Sequence, residues 1–559
     1  MRWTDRHGLA HLFVAALLIA LFLQAVLSMR LLNASSDEAV HLVAGYTYWQ
    51  TGGIRLNPEH PPLVKLLAAF PLRFLEPRLN LADPDWLQEP PNQYPFGFHF
   101  LYSNDADRLL FWGRLSVVLL AVLLGLYVYR WARDLFGTGA GLLALFLYVV
   151  CPNVIAHSRF VTMDLGLSCF FLIALYYLWR FCHDGGGRNL VAAGLGLGLA
   201  LATKFSAVIL VPTMALLLGL AAATVPNAEP VAKGKKGSTP VKLGGGIDDV
   251  FARDGLWTRM RRAALAYLLL LLIAFVVIYA IYLFPRNPLV YLQGMVRVYE
   301  GRNPAYEYYL LGQFSKSGWP YYFLTVFFLK TPLPTLALLI LSVALVRSYR
   351  ARRLLDEAFL VLPAVIFFSV TSALALPLGV RYILPVYPLL FVFVSRLAGF
   401  LLRSRLHLAL ASVLGGWLII GALRIYPDHL AYFNELVGGP DNGWKYLDDS
   451  NIDWGTDLKR LKTYMEQHGI KKVRLIYTWN GSPRYDGVSF EWATQKDWTE
   501  HPSPGIYAVN THMLIRGEAV ARKLGWRSDW LSRYQPIGRV GYGFYLFTFD
   551  GAPAPASPS

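Results

Sequence analysis

The chain is poor in charge and in cysteine. Only 16% of its 559 residues are Asp, Glu, Lys or Arg, and there are 3 cysteines. Cys151, Cys169 and Cys182 all fall in or beside apolar segments, so no disulfide framework is implied. No HExxH, no paired-cysteine motif and no nucleotide-binding glycine loop occurs, which argues against a zinc hydrolase and against a nucleotide-sugar or ATP enzyme. No resident metal or other cofactor is required, although a divalent metal is compatible with the acidic residues.

What the sequence has in abundance is apolar length. It is 55% hydrophobic, the composition of a polytopic membrane protein rather than a soluble one. Eleven runs approach the roughly 20 residues a helix needs to cross a bilayer: 9–28, 109–129, 139–156, 163–182, 190–203, 205–223, 263–284, 320–346, 358–376, 382–400 and 406–424. The first is too long for a signal-peptide core and no small-x-small cleavage site follows, so it reads as an uncleaved span. The net charge of +16 does not indicate nucleic acid, because the cations sit in short connectors. With the N-terminus in the cytoplasm, Arg130/Arg133, Arg180/Arg188, Lys233 to Arg262, Arg347 to Arg353 and Arg403/Arg405 all lie on the cytoplasmic side, as the positive-inside rule requires.

The expected architecture is therefore mainly α and polytopic: a membrane domain over 1–424, with a long first outer loop 29–108 and a basic cytoplasmic loop 224–262. Segments 38–51 and 63–75 are expected to lie along the membrane interface. Residues 425–549 read as a small extracytoplasmic α/β domain, with a helix from Asp457 to Gln467 and strands at Val473–Thr478, Gly505–Val509 and Gly543–Phe549. The tail 550–559 is disordered by composition.

Ionisable groups beside a bilayer are functional candidates. Ser35-Ser36-Asp37-Glu38 follows the first span, and Asn57-Pro58-Glu59-His60-Pro61-Pro62-Leu63-Val64-Lys65 follows that. Ser35 and Glu38 also have capping-box spacing, so a purely local role competes with a general-base role for Asp37. His60 and Lys65 are either a turn entering a helix or a phosphate-binding pair. Arg114 sits just inside the second span. His157, Arg159 and Asp164 occupy the next outer turn, and Lys204, Lys330 and Arg381 recur at outer span ends. Asn451-Ile-Asp453-Trp454-Gly455 reads as a structural turn.

At these residues the chain resembles the GT-C glycosyltransferases that use polyprenyl-phosphate sugars, most closely the bacterial members of the protein O-mannosyltransferase and aminoarabinose-transferase superfamily. The acidic pair Asp37-Glu38 matches the family's first-loop motif, and His60-Pro61-Pro62-Leu63 with Lys65 is similar to the mannosyltransferase HPPLxK element. The likeness spans about residues 9–425. It implies Asp37 as catalytic base, supported by Glu38 and Asp164. It implies His60, Lys65, Arg114, Lys204 and Arg381 as ligands of the donor phosphate, with His157 and Arg159 orienting the acceptor. It further implies an inverting transfer of one sugar from a polyprenyl-phosphate carrier to a lipid, glycan or protein hydroxyl, on the outer face of a bacterial inner membrane. Partners would be membrane lipid, the lipid-linked donor and the acceptor, with neither nucleic acid nor nucleotide. A transporter or flippase of lipid-linked glycans is the alternative. It predicts internal repeats and ionisable groups near the midplane, whereas here the charges gather at one face.

Overall fold

The computed structural model describes residues 3–224, 255–301, 303–351, 353–494, 497, 502–525 and 533–549. Most of the basic loop expected at 224–262, and the tail 550–559, lie outside the described residues.

Every apolar run forms helix, for the reason its composition suggests: a backbone in hydrocarbon must satisfy its own hydrogen bonds. Among the described residues, seven helices are long and apolar enough to cross a membrane: Gly8–Met29, Ala106–Phe136, Met163–Asp184, Phe205–Thr224, Leu256–Ile281, Leu354–Leu374 and Arg405–Arg424. Tyr322–Lys330 and Leu333–Ala344 pass the same test as a pair bent by 111°. The bend falls at Pro332, which cannot continue the preceding helix. Thr138–Val149, Gly187–Leu201 and Val386–Leu401 are apolar but shorter. The protein is a multi-pass, mainly helical membrane protein.

The first outer loop is not a surface appendage. Glu38–Thr51 forms a helix, but residues 38–48 are all buried, so it is enclosed by protein rather than laid on the interface. Leu63–Ala69 is likewise almost wholly buried. The two touch so closely at Gly45 that a Cβ there would sit 2.0 Å from the carbonyl oxygen of Lys65. The expected interfacial helices are thus packed on each other, with Leu63–Ala69 against the span Ala106–Phe136.

That domain carries a five-stranded mixed sheet ordered Phe490–Trp492, Val473–Ile476, Gly505–Asn510, Phe544–Phe549, Gly538–Val540. The first three strands are parallel and the last two antiparallel. Helices Leu458–Gln467 and Thr511–Lys523 accompany it. Buried Asn33 ties the domain to the end of the first span, donating to the Gly455 carbonyl at 2.7 Å and accepting from the Leu458 amide at 2.8 Å. Lys459–Asp107 and Asn480–Ser36 add two further ties.

Candidate active site

A cavity of about 650 Å³ opens between the first outer loop, the break at 376–382 and the C-terminal domain. Asp37, His60 and Arg381 line it, and sequence reasoning named all three. Glu59, Asp449 and Trp479 also line it, and it did not name these.

Asp37 sits at the N-cap position of Glu38–Thr51, yet its side chain caps nothing. It remains 25% exposed and faces the Arg381 guanidinium at 3.4 Å. Arg381 stands on Trp454, 4.3 Å from the ring centre, and beside Tyr382. The long contact to Asp37 is its one hydrogen bond among the described residues, and its Nε has no partner. Burial opposes its charge, but Tyr382, Asp164, Asp37 and Asp449 together hold it firmly cationic. Behind it, Lys204 donates to Asp164 at 2.5 Å and lies 4.4 Å over Tyr382. Four sequence-named groups, Asp37, Asp164, Lys204 and Arg381, are therefore brought together.

Other named groups are placed elsewhere. Glu38 is fully buried and accepts from Arg114 Nε and Nη2 (2.8 and 2.7 Å), from the Ser35 amide (2.8 Å) and from the Val161 amide (3.0 Å). Burial pushes its carboxyl up, but Arg114 and the two amides outweigh this and hold it below its usual value. Arg114 adds bonds to the Met29, Leu32 and Asn33 carbonyls, so its fork is fully engaged. The pair locks the first span to the second. Neither residue lines this cavity.

Lys65 is engaged in a similar way. Its buried ammonium donates to the Asn57 carbonyl (2.7 Å), the Asn57 side chain (3.2 Å), the His60 carbonyl (2.7 Å) and the Tyr48 hydroxyl (2.9 Å). It shapes the 57–60 turn, where Asn57 takes a φ of +52°, and does not reach the cavity. Burial pushes it down to about 7, opposed by Glu59. His60 does line the cavity, but burial, with His41, Lys65, Lys204 and Arg381, drives its pKa well below the usual value. His157 and Arg159 are buried behind the wall rather than on it: His157 packs edge-on against Trp454, and Arg159 donates to the Pro427 carbonyl at 2.5 Å.

Of the residues the sequence did not single out, Glu59 accepts from Asn57 (2.9 Å) and Gln93 (2.5 Å). Asp449 has a φ of +59° and accepts from Tyr306 at 3.1 Å. Burial raises its pKa, against the pull of Arg381. The one sequence signal for Asp449 is its place in a second acidic pair, Asp448-Asp449, just ahead of the Asn451–Gly455 turn. Among the described residues, Asp83, Asp85 and His99 form the one His/Cys/Asp/Glu group at metal-ligand spacing, and none of them lines the cavity.

Residues 107–233 match the family model for dolichyl-phosphate-mannose-protein mannosyltransferase. The match bears out the resemblance read from the sequence, to GT-C glycosyltransferases of the protein mannosyltransferase superfamily. No curated protein matches the chain. Among solved structures, ArnT from Cupriavidus metallidurans bound to undecaprenyl phosphate is 14% identical at a TM-score of 0.48, covering 96% of this chain and 97% of that one. The Archaeoglobus fulgidus oligosaccharyltransferase in its apo form is 13% identical at a TM-score of 0.43, covering 94% of this chain and 72% of that one.

Proposed function

We propose that this membrane protein transfers a sugar from a polyprenyl-phosphate carrier to an acceptor hydroxyl at the outer face of a bacterial inner membrane, with inversion. One observation carries the reading. An accessible carboxylate, Asp37, stands beside an arginine whose donors are almost all unengaged, and both line one cavity.

The chemistry needs little more. The leaving group departs as a phosphate anion of low basicity, so it needs cations rather than a general acid. Arg381 supplies a planar fork suited to phosphate oxygens. Lys204, held by Asp164, adds positive potential behind it. Asp37 takes the proton of the acceptor hydroxyl while its oxygen attacks the anomeric carbon. The new C–O bond forms as the bond from that carbon to the phosphate oxygen breaks. The proton ends on Asp37 and the electron pair on the carrier phosphate. One displacement with one base inverts the anomeric centre, as in inverting glycosidases.

Arg381→Ala tests the phosphate assignment. Losing charge-assisted hydrogen bonds should weaken donor binding by roughly 10- to 100-fold. Unchanged binding of a labelled polyprenyl-phosphate sugar would move the phosphate site elsewhere.

A further inference from the structure

The C-terminal domain does more than cover the cavity. Asp449, Trp454, Trp479 and His512 all lie beyond residue 424, and all four line the cavity. They are set in place by contacts that look costly to maintain for packing alone. Trp479 donates its indole N–H to Asp453 at 3.2 Å and lies against the His512 ring at 4.6 Å between centres. Asp453 also accepts from the Gly455 amide at 2.8 Å and from Asn510 at 3.1 Å, which ties the loop to the sheet. His512 is bonded to Asp448 at 2.9 Å, and Asp448 also accepts from Arg516 at 2.5 Å. Asp449 is held in left-handed backbone, a conformation that costs a non-glycine residue energy and persists where the surroundings impose it. Its carboxylate carries the Tyr306 hydroxyl on one oxygen and the Ser450 amide on the other, and each oxygen retains further accepting capacity.

We propose that this wall is a saccharide subsite, so that the acceptor hydroxyl belongs to a glycan. A pyranose or furanose offers apolar C–H faces and a rim of hydroxyls. The faces suit an aromatic platform such as Trp479, and the hydroxyls suit a fixed carboxylate such as Asp449 with the Tyr306 hydroxyl beside it. The position fits an acceptor rather than a donor. Arg381 and Lys204, the cations assigned to the donor phosphate, belong to the membrane domain, whereas Asp449, Trp479 and His512, which line the same cavity, come from the C-terminal part of the chain. A sugar resting on Trp479 and Asp449 would present a hydroxyl towards Asp37. The inference rests on the proposed transfer reaction for its direction, but the subsite itself is readable by binding alone.

The test uses the full-length protein in nanodiscs and a panel of methyl glycosides of hexoses, pentoses and N-acetylhexosamines. Calorimetry should find one class that binds the native protein. Asp449→Ala and Trp479→Ala should each weaken it by roughly 10-fold or more. Trp479→Phe, which keeps a ring and the fold, should retain most of the affinity. The binding glycoside should also accept label from a polyprenyl-phosphate sugar. No binding by any glycoside, native affinity in both alanine variants, or competition of the glycoside against the donor would overturn the proposal. Transfer to a peptide or lipid with no glycoside binding would overturn it while leaving the transferase reading intact. Glycoside binding without transfer from any donor would do the reverse.

Discussion

Two arginines show how placement decides role. Arg114 and Arg381 are both cations at the outer ends of apolar segments, and nothing in their local sequence separates them. Arg114 makes five hydrogen bonds and an ion pair with Glu38, with both side chains buried. Arg381 makes one long hydrogen bond among the described residues. Removing one member of a buried pair strands the other charge, at roughly 3–5 kcal/mol. Arg114→Ala is therefore expected to lower thermal stability steeply. Thermal unfolding in detergent checks this, and a variant that melts like the native protein would return Arg114 to the list of ligands. Asp37, His60 and Arg381 stood out in the sequence because ionisable groups beside a bilayer are rare, whereas Glu59 and Asp449, which line the same cavity, did not. The difference between an engaged and an open fork was not legible, because it depends on carbonyls of residues 29–33 that only the fold brings round Arg114.

At the scale of elements, the long apolar helices and the central strands of the C-terminal sheet were readable from hydropathy and β-branched runs. The edge strands Phe490–Trp492 and Gly538–Val540, three residues each, were not, since so short a segment carries no period. The burial of Glu38–Thr51 was also missed: its amphipathic pattern reflects polar groups bonded inside protein, as His41 is to the Val161 carbonyl at 2.6 Å. The turn 451–455 has a consequence for pH. Burial pushes Asp453 up to about 6, opposed by the bonds it accepts from Gly455, Asn510 and Trp479 and by the charge of His512. Its folded value lies above the ordinary carboxylate value, so the native state keeps a proton that the unfolded chain releases. The stabilisation is complete below about pH 4 and is lost as the pH rises through 6, amounting to about 3 kcal/mol. Asp453→Asn should remove that part of the pH dependence. Melting curves between pH 4 and 8 test this, and an unchanged slope in the variant would contradict it.

For the whole molecule, the sequence divides into membrane part and α/β domain, but the function proposed here lives at their junction. Asn33 is the clearest tie across it, bonded to Gly455 and Leu458 from a position 422 and 425 residues away in the chain. No local pattern announces such a contact. Asn33→Ala leaves the buried Leu458 amide without its partner and the Gly455 carbonyl with only the Tyr477 hydroxyl, a loss of roughly 1–3 kcal/mol. It should loosen the junction, seen as faster amide exchange in 451–458, whereas native exchange there would show that the domain docks by other means.

The central claim is that Asp37 is the base of a transfer from a polyprenyl-phosphate sugar. The direct measurement is transfer of label from a panel of such donors to a membrane extract, comparing native protein with Asp37→Asn in nanodiscs. The account predicts transfer by the native protein and a loss of roughly 100- to 10,000-fold in the variant, with folding unchanged. Equal transfer by the two proteins, or none from any donor by the native one, would contradict it.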